Sequence, residues 1–239
     1  VSCLAEQAKI LFAEAEENNL GVEALDVRWR RWHTCSLCEQ SYHGVVYCAL
    51  GWACWKTYVG RPEDNIVRRW AMSVLGIGLS EAKRHEDALS VGEVELAMDR
   101  RFGASERSML VIQSNLAITY EALGRLEEAL SMRREVYSGT LRLEGEESRN
   151  TLLEANNYAG VLVKLNRFEE AKALLRKTLP VARRVLGEDA QLTLGMRRNY
   201  AEALYDDPSA TLEDLHEAVT TFEEIERTAR RVLGGAHPT

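Results

Sequence analysis

Cys35, Cys38, His43 and Cys48 follow one another as Cys-x2-Cys-x4-His-x4-Cys. Two thiolates separated by two residues can grip one metal ion from a tight turn, and His43 and Cys48 complete a tetrahedral set. The spacing is that of a zinc knuckle contacting single-stranded nucleic acid, although Tyr42 stands where such knuckles carry Gly before the His. Cys54 competes as fourth ligand; residues 40–47 would then be a small hairpin with His43 and Gly44 at its tip. Either site holds zinc structurally, because four protein ligands leave no open position for catalysis. The alternative is that these are reduced thiols packed as apolar fill among Trp52, Trp55 and Tyr58. Residues 28–69 are net positive by four, the remainder about −11. This raises a second function, a zinc-knuckle-like module contacting single-stranded nucleic acid through the basic head.

Other chemistry is missing from the sequence. It contains no Gly-rich phosphate loop, no Gly-x-Ser-x-Gly elbow and no His-Glu-x-x-His, and its five His have no evident base partner. We therefore expect no enzyme. The chain has 239 residues, 46% hydrophobic and 28% charged, with a net charge of −7, which allows a sizeable core and disfavours a general nucleic-acid binder. The longest apolar run, residues 45–55, is far short of the roughly 20 residues of a membrane-spanning helix. Five cysteines, an odd number, suit a metal site or reduced thiols better than a secreted disulfide framework, so a cytoplasmic, intracellular location is expected.

The elements that would carry these residues emerge from self-similarity. Asn115, Asn157 and Asn199 lie 42 residues apart, as do Gly103, Gly145 and Gly187, and as do Leu123-Gly-Arg-Leu-Glu-Glu-Ala129 and Leu165-Asn-Arg-Phe-Glu-Glu-Ala171. A weaker unit precedes them, with Glu86-Asp-Ala88 in the place of Glu-Glu-Ala. In the fourth unit Ala218 and Gly234 fall 47 residues on, which puts five extra residues around Asp206-Asp-Pro-Ser209. Each unit reads as two amphipathic helices. Gly124, or Asn166 in its place, ends the first helix with positive φ. Ala117, Ala159 and Ala201, with Ala129, Ala171 and Ala218, permit close approach, and Tyr120, Tyr158 and Tyr200 fill the surrounding space. Pro180 should kink its helix or mark a tight contact. Arg133-Arg134 and Arg183-Arg184 read as solvated faces with Glu partners one turn away. A helix is also expected over 3–17, and another over 49–58.

The pattern Asn-Leu-Ala-x-x-Tyr, Leu-Gly-Arg-x-Glu-Glu-Ala and a long second helix closing as Ala182-Arg-Arg-Val-Leu-Gly-Glu188 resembles the tetratricopeptide family, kinesin-light-chain type. The ending repeats as Ala229-Arg-Arg-Val-Leu-Gly-Gly-Ala-His-Pro238. The resemblance implies an all-α, right-handed α-α superhelix of about four 42-residue helix pairs with a small N-terminal zinc-finger-like head. The division is then 1–32 (N-terminal helices), 33–62 (Cys/His-rich head) and 63–239 (repeats at 63–105, 106–147, 148–189 and 190–239). It implies a protein-binding scaffold whose concave groove takes a peptide or partner protein. By that resemblance the groove carries Ser114, Asn115, Ile118 and Glu121, then Leu153, Asn156, Asn157, Gly160 and Lys164, then Arg198, Asn199 and Glu202. The repeated Asn grips an extended ligand or instead pins one repeat to the next. Because the chain stops at His237-Pro-Thr239, where another repeat would begin, a longer protein is expected.

Overall fold

The turn sequences dictate how each helix pair closes. In a computed structural model of the chain, which describes residues 1–233, the first helix of a repeat ends with one residue in the left-handed region: Lys83 (φ +63°), Gly124 (+73°) and Asn166 (+58°). After Leu79 and Leu162 the chain forms the same double bond. Arg84 N–H donates to the Leu79 carbonyl (2.9 Å) and Arg167 N–H to that of Leu162 (2.8 Å), while Lys83 and Asn166 donate to Ser80 and Val163. These bonds satisfy carbonyls that a helix end otherwise leaves bare. The Arg that follows then reaches into the first turn of the second helix. Arg84 Nε donates to Asp87 (2.7 Å), Arg125 Nε to Glu128 (2.9 Å) and Arg167 Nε to Glu170 (2.7 Å). The motif is thus a helix stop, a cation and an N-terminal carboxylate that also suits the helix dipole.

Eleven α-helices and one short 3-10 turn account for the regular structure of the described residues, which include no strand. They are α1 (Ser2–Glu17), α2 (Val22–Trp29), α3 (Gly44–Tyr58), α4 (Ile66–Glu81), α5 (His85–Arg101), α6 (Glu106–Ala122), α7 (Leu126–Glu144), α8 (Arg149–Lys164), α9 (Phe168–Leu186), α10 (Gln191–Tyr205) and α11 (Leu212–Leu233). Helices α4–α11 follow one another in the stretch where the sequence repeats. Two compact units divide the chain, Val1–Gly124 and Arg125–Thr239.

In the first unit α3 packs along α4, so the Cys/His-rich segment is built into the helical stack rather than set apart from it. The contact is close because both helices carry glycine where they meet. A Cβ on Gly51 would stand 2.9 Å from the Val74 carbonyl oxygen, and one on Gly78 would stand 2.8 Å from that of Tyr47. Beside this seam lies an aromatic core. Trp29 packs edge-on to Phe12 (centroids 5.0 Å) and against Tyr58 (5.5 Å) and Trp70 (5.4 Å), with Trp32 fully buried.

In the second unit each helix packs on the next, and α8 also lies beside α10. Leu152, Ala159, Leu175, Leu179, Ala182 and Met196 form one core, and Ala201, Leu204 and Ala218 another. The six repeat alanines are all fully buried, as close packing requires. Polar ties recur at the repeat distance. Arg134 Nε donates to the Tyr158 hydroxyl (3.2 Å) and Arg176 Nε to that of Tyr200 (3.3 Å); Arg184 pairs with Glu147 (2.7 Å) and Arg231 with Asp189 (2.5 Å).

One expectation changes. Arg133 is not a solvated residue: it is buried and paired with Glu154 of α8 (3.4 Å). Pro180 lies inside α9, on its exposed side, where water can serve the carbonyl its missing N–H leaves free. The insertion of the fourth unit is held by Asp207, whose carboxylate accepts from Ser209 N–H (2.9 Å) and hydroxyl (2.7 Å) and from buried Lys172 (2.7 Å). These bonds hold the Asp207 carboxyl far below the usual carboxylate range. Gly234 and the 234–238 part of the closing motif, with His237, lie outside the described residues.

Candidate functional site

The first helices α8 and α10 present a face of amides and small residues. Asn199 Nδ2 donates to both the backbone carbonyl (3.1 Å) and the side-chain oxygen (3.0 Å) of Asn156. Gly160 and Gly195 flank this pair, and their missing side chains leave it open: a Cβ at either would touch an amide atom, 3.6 Å from Asn199 Nδ2 and 3.7 Å from Asn156 Oδ1. The pairing leaves an acceptor, Asn199 Oδ1, and a donor, Asn156 Nδ2, with no partner among the described residues. Asn157, the sequence equivalent of Asn199, instead donates to Glu154 on its own helix (3.3 Å). Arg198 is exposed and pairs with Glu202 (2.7 Å), while Lys164 is exposed near the end of α8.

In the first unit an open cleft runs between α4 and α6 over α5. Ser73, Gly76, Ile77 and Ser80 line one wall, Asn115, Ile118 and Thr119 the other, and Gly92 and Glu95 the floor. Asn115 and Ile118 are therefore among the residues lining this cleft. Ser114, beside them on α6, is half-buried.

A cluster the sequence did not announce lies under this cleft. Glu95 and Asp99, one turn apart on α5, are buried. The Ser73 hydroxyl donates to Glu95, Arg69 Nε lies 2.8 Å from Asp99 Oδ1, and the Ser108 hydroxyl donates to Asp99 Oδ2 (2.8 Å). Burial pushes the Glu95 carboxyl up to about 8, with Asp99 adding to the shift against Ser73 and Arg69. The signal was available in the repeat register. The equivalents of Glu95 and Asp99 are Val136 and Thr140 in α7, and Thr178 and Ala182 in α9; that of Arg69 in α8 is Leu152.

The Cys/His segment folds differently from either zinc arrangement. The Cys35 sulfur accepts the Leu37 N–H (3.5 Å), and Glu39 at φ +57° turns the chain, a compact two-thiol knuckle closed by a single bridge between Thr34 and Ser41. The N–H groups of Cys38 and Leu37 aimed at this sulfur lower the Cys35 thiol's pKa. The other ligands do not join it. His43 faces Glu81 of α4 (3.7 Å), Cys48 packs beside the Leu75–Leu79 cluster, and Cys54 is buried in the aromatic core, where burial pushes its thiol up. Among the described residues no group of three or more His, Cys, Asp or Glu is gathered to hold a metal ion. No hairpin spans 40–47, because α3 already begins at Gly44. In this arrangement Cys35 and Cys38 stand apart from His43 and Cys48, so the four are not gathered as one ligand set. Cys54 is buried in the same core cluster as Trp29, Trp32 and Tyr58, with Trp55 packed against that cluster, while Trp52 is exposed.

Part of the basic excess of the head is paired with acids outside it. Arg30 pairs with Asp26 (2.7 Å), Arg61 with Glu16 (2.7 Å) and Arg69 with Asp99 (2.8 Å). No helix of the described residues is long and apolar enough to cross a membrane.

Similarity to known proteins follows the repeats. A family profile of tetratricopeptide repeats matches residues 108–184. No curated protein matches the chain. Among solved structures, BtubC (BKLC) from P. vanneervenii is similar over 100% of this chain and 92% of its own, with a TM-score of 0.68 at 18% identity. The nearly identical TPR-like repeats of a Podosopora anserina protein assigned to the kinesin light chains are similar over 97% of both chains, with a TM-score of 0.66 at 16% identity. A variant of those repeats with one substitution gives a TM-score of 0.67 over the same shares. At these identities the likeness is one of fold.

Proposed function

We propose that this protein is a non-enzymatic interaction scaffold that holds an extended peptide, or a peptide-like segment of a partner protein, against the faces of its first helices. The observation that carries the proposal is the Asn156–Asn199 pair. Its unused donor and acceptor match the C=O and N–H of an extended backbone, and Gly160 and Gly195 keep the approach clear. The amide pair serves both readings of the repeated Asn, since it ties α8 to α10 and still offers two groups to a ligand. Arg198 and Lys164 on the same helices favour an acidic neighbour in that ligand. The fold supports this role, because stacked helix pairs offer extended surfaces rather than an enclosed pocket for chemistry.

A peptide library selected against the full chain tests the proposal. Selected peptides should bind with micromolar affinity and lose about tenfold or more with Asn156→Ala or with Arg198→Ala. Failure to recover any binder, or equal binding by both variants, would overturn it.

Zinc in the head rests on the Cys35–Cys38 knuckle alone. A site of Cys35, Cys38, His43 and Cys48 requires His43 to leave Glu81 and Cys48 to leave the Leu75–Leu79 cluster.

A further inference from the structure

Repeat proteins reuse one core pattern, so a departure buried in a single repeat asks for a reason. Where α7 and α9 bury Val136, Thr178 and Ala182, α5 buries Glu95 and Asp99, and where α8 buries Leu152, α4 places Arg69. Buried ionisable groups cost more than the apolar residues they replace unless they do something apolar residues cannot. A cleft of about 410 Å³ opens onto this cluster. Ile66, Trp70, Val111 and Ile112 make its apolar wall, and the two carboxyl groups stand at its polar end.

We infer that this cleft receives a lysine side chain of a partner polypeptide, its aliphatic stem against Trp70, Val111 and Ile112 and its ammonium between Glu95 and Asp99. The charges call for a cation. Among the described residues Arg69 is the sole cation lining the cleft, and it is already committed to Asp99, so Glu95 is held there by the Ser73 hydroxyl rather than by a positive partner of its own. From α6 the cleft receives Ser108, Val111 and Ile112, none charged. An empty cleft therefore keeps Glu95 protonated at neutral pH, in line with its raised pKa, and an arriving ammonium drives that proton off. An ammonium is a compact charge with three donors, suited to two carboxylates and the Ser108 hydroxyl, whereas the planar fork of a second Arg is already represented there by Arg69.

The inference rests on the scaffold reading and names a side chain that the first unit would take from a partner, but it is tested separately. N-acetyl-lysine-N′-methylamide is titrated into the full chain and followed by amide chemical shifts, with N-acetyl-norleucine-N′-methylamide as the uncharged counterpart. The lysine amide should give saturable shifts confined to α4, α5 and the start of α6, and the norleucine amide none. Affinity should rise as pH goes from 6 to 9, and Glu95→Gln, close to isosteric with the protonated acid, should weaken binding about tenfold and remove that pH dependence. Val111→Trp, an exposed position at the cleft, should block the probe without disturbing the core. Absence of shifts with the lysine amide, equal shifts with both probes, or unaltered binding by Glu95→Gln overturns the lysine pocket. Library peptides that still depend on Asn156 would leave the amide face standing in that event, and lysine-amide binding without any peptide binder would sink the amide face alone.

Discussion

Asn199 holds Asn156 by two hydrogen bonds from one Nδ2, to the backbone carbonyl and to the side-chain oxygen, across two helices 43 residues apart in sequence. Asn157 makes only a bond within its own helix in the second unit, so these two asparagines of the repeat register are not equivalent. Asn199→Ala strips both acceptors on Asn156 of their donor in a half-buried place, at roughly 0.5–1.5 kcal/mol per bond. Urea unfolding should show a loss of about 1–2 kcal/mol for Asn199→Ala and well under that for Asn157→Ala. Equal losses would show that the pairing does not carry the difference.

The α3–α4 seam depends on two glycines. A methyl group at Gly78 would meet backbone atoms of Tyr47 (2.8 Å) and Cys48 (3.0 Å), which cannot swing away as a side-chain end can. Alanine ordinarily favours a helix by about 1 kcal/mol over glycine. Here overpacking should win, so Gly78→Ala is expected to destabilise by about 1–3 kcal/mol. Gly76→Ala, two residues away with only a Val91 methyl at 3.7 Å, should be neutral or stabilising. Thermal unfolding of the two variants side by side checks the contrast.

The repeats were legible because their stops and close contacts are local. Asn166 and Gly124 announce positive φ, and the buried alanines mark the seams. Lys83 was not legible as a left-handed residue, since nothing in its type prefers that conformation; the Leu79 and Ser80 carbonyls impose it. The head depends on contacts of the opposite, long-range kind. The spacing of Cys35, Cys38, His43 and Cys48 fits a metal site locally, but the long-range seam at Gly51 and Gly78 draws His43 and Cys48 to α4 instead. Glu95 and Asp99 carry no local mark of burial, because a single acidic pair at helical spacing looks solvated until it is set against Val136 and Thr140.

Metal removal separates the knuckle from the fold. Trp29, Trp32, Tyr47 and Tyr58 share one apolar core, to which neither Cys35 nor Cys38 belongs, so chelator treatment of reduced protein should leave the thermal transition unchanged, as should Cys35→Ser. Zinc analysis of the same samples gives the second reading. About one zinc per chain, lost in Cys35→Ser together with a drop in Tm, would mean that His43 and Cys48 leave α4 to complete the site.

Glu95 sets a pH signature on stability. Its folded pKa of about 8 lies above the roughly 4.3 of an unfolded Glu, so the native chain keeps a proton that the unfolded chain gives up. The stability this carboxyl confers is complete below about pH 4.3, falls as pH rises toward 8, and is level beyond. The slope in that window is at most about 1.4 kcal/mol per pH unit from this one group. Glu95→Gln keeps the shape and removes the titration. Wild type and variant should therefore differ little near pH 4.5, and the variant should gain progressively in urea midpoint up to pH 8. A gap that does not change with pH would place the Glu95 carboxyl in ordinary contact with water.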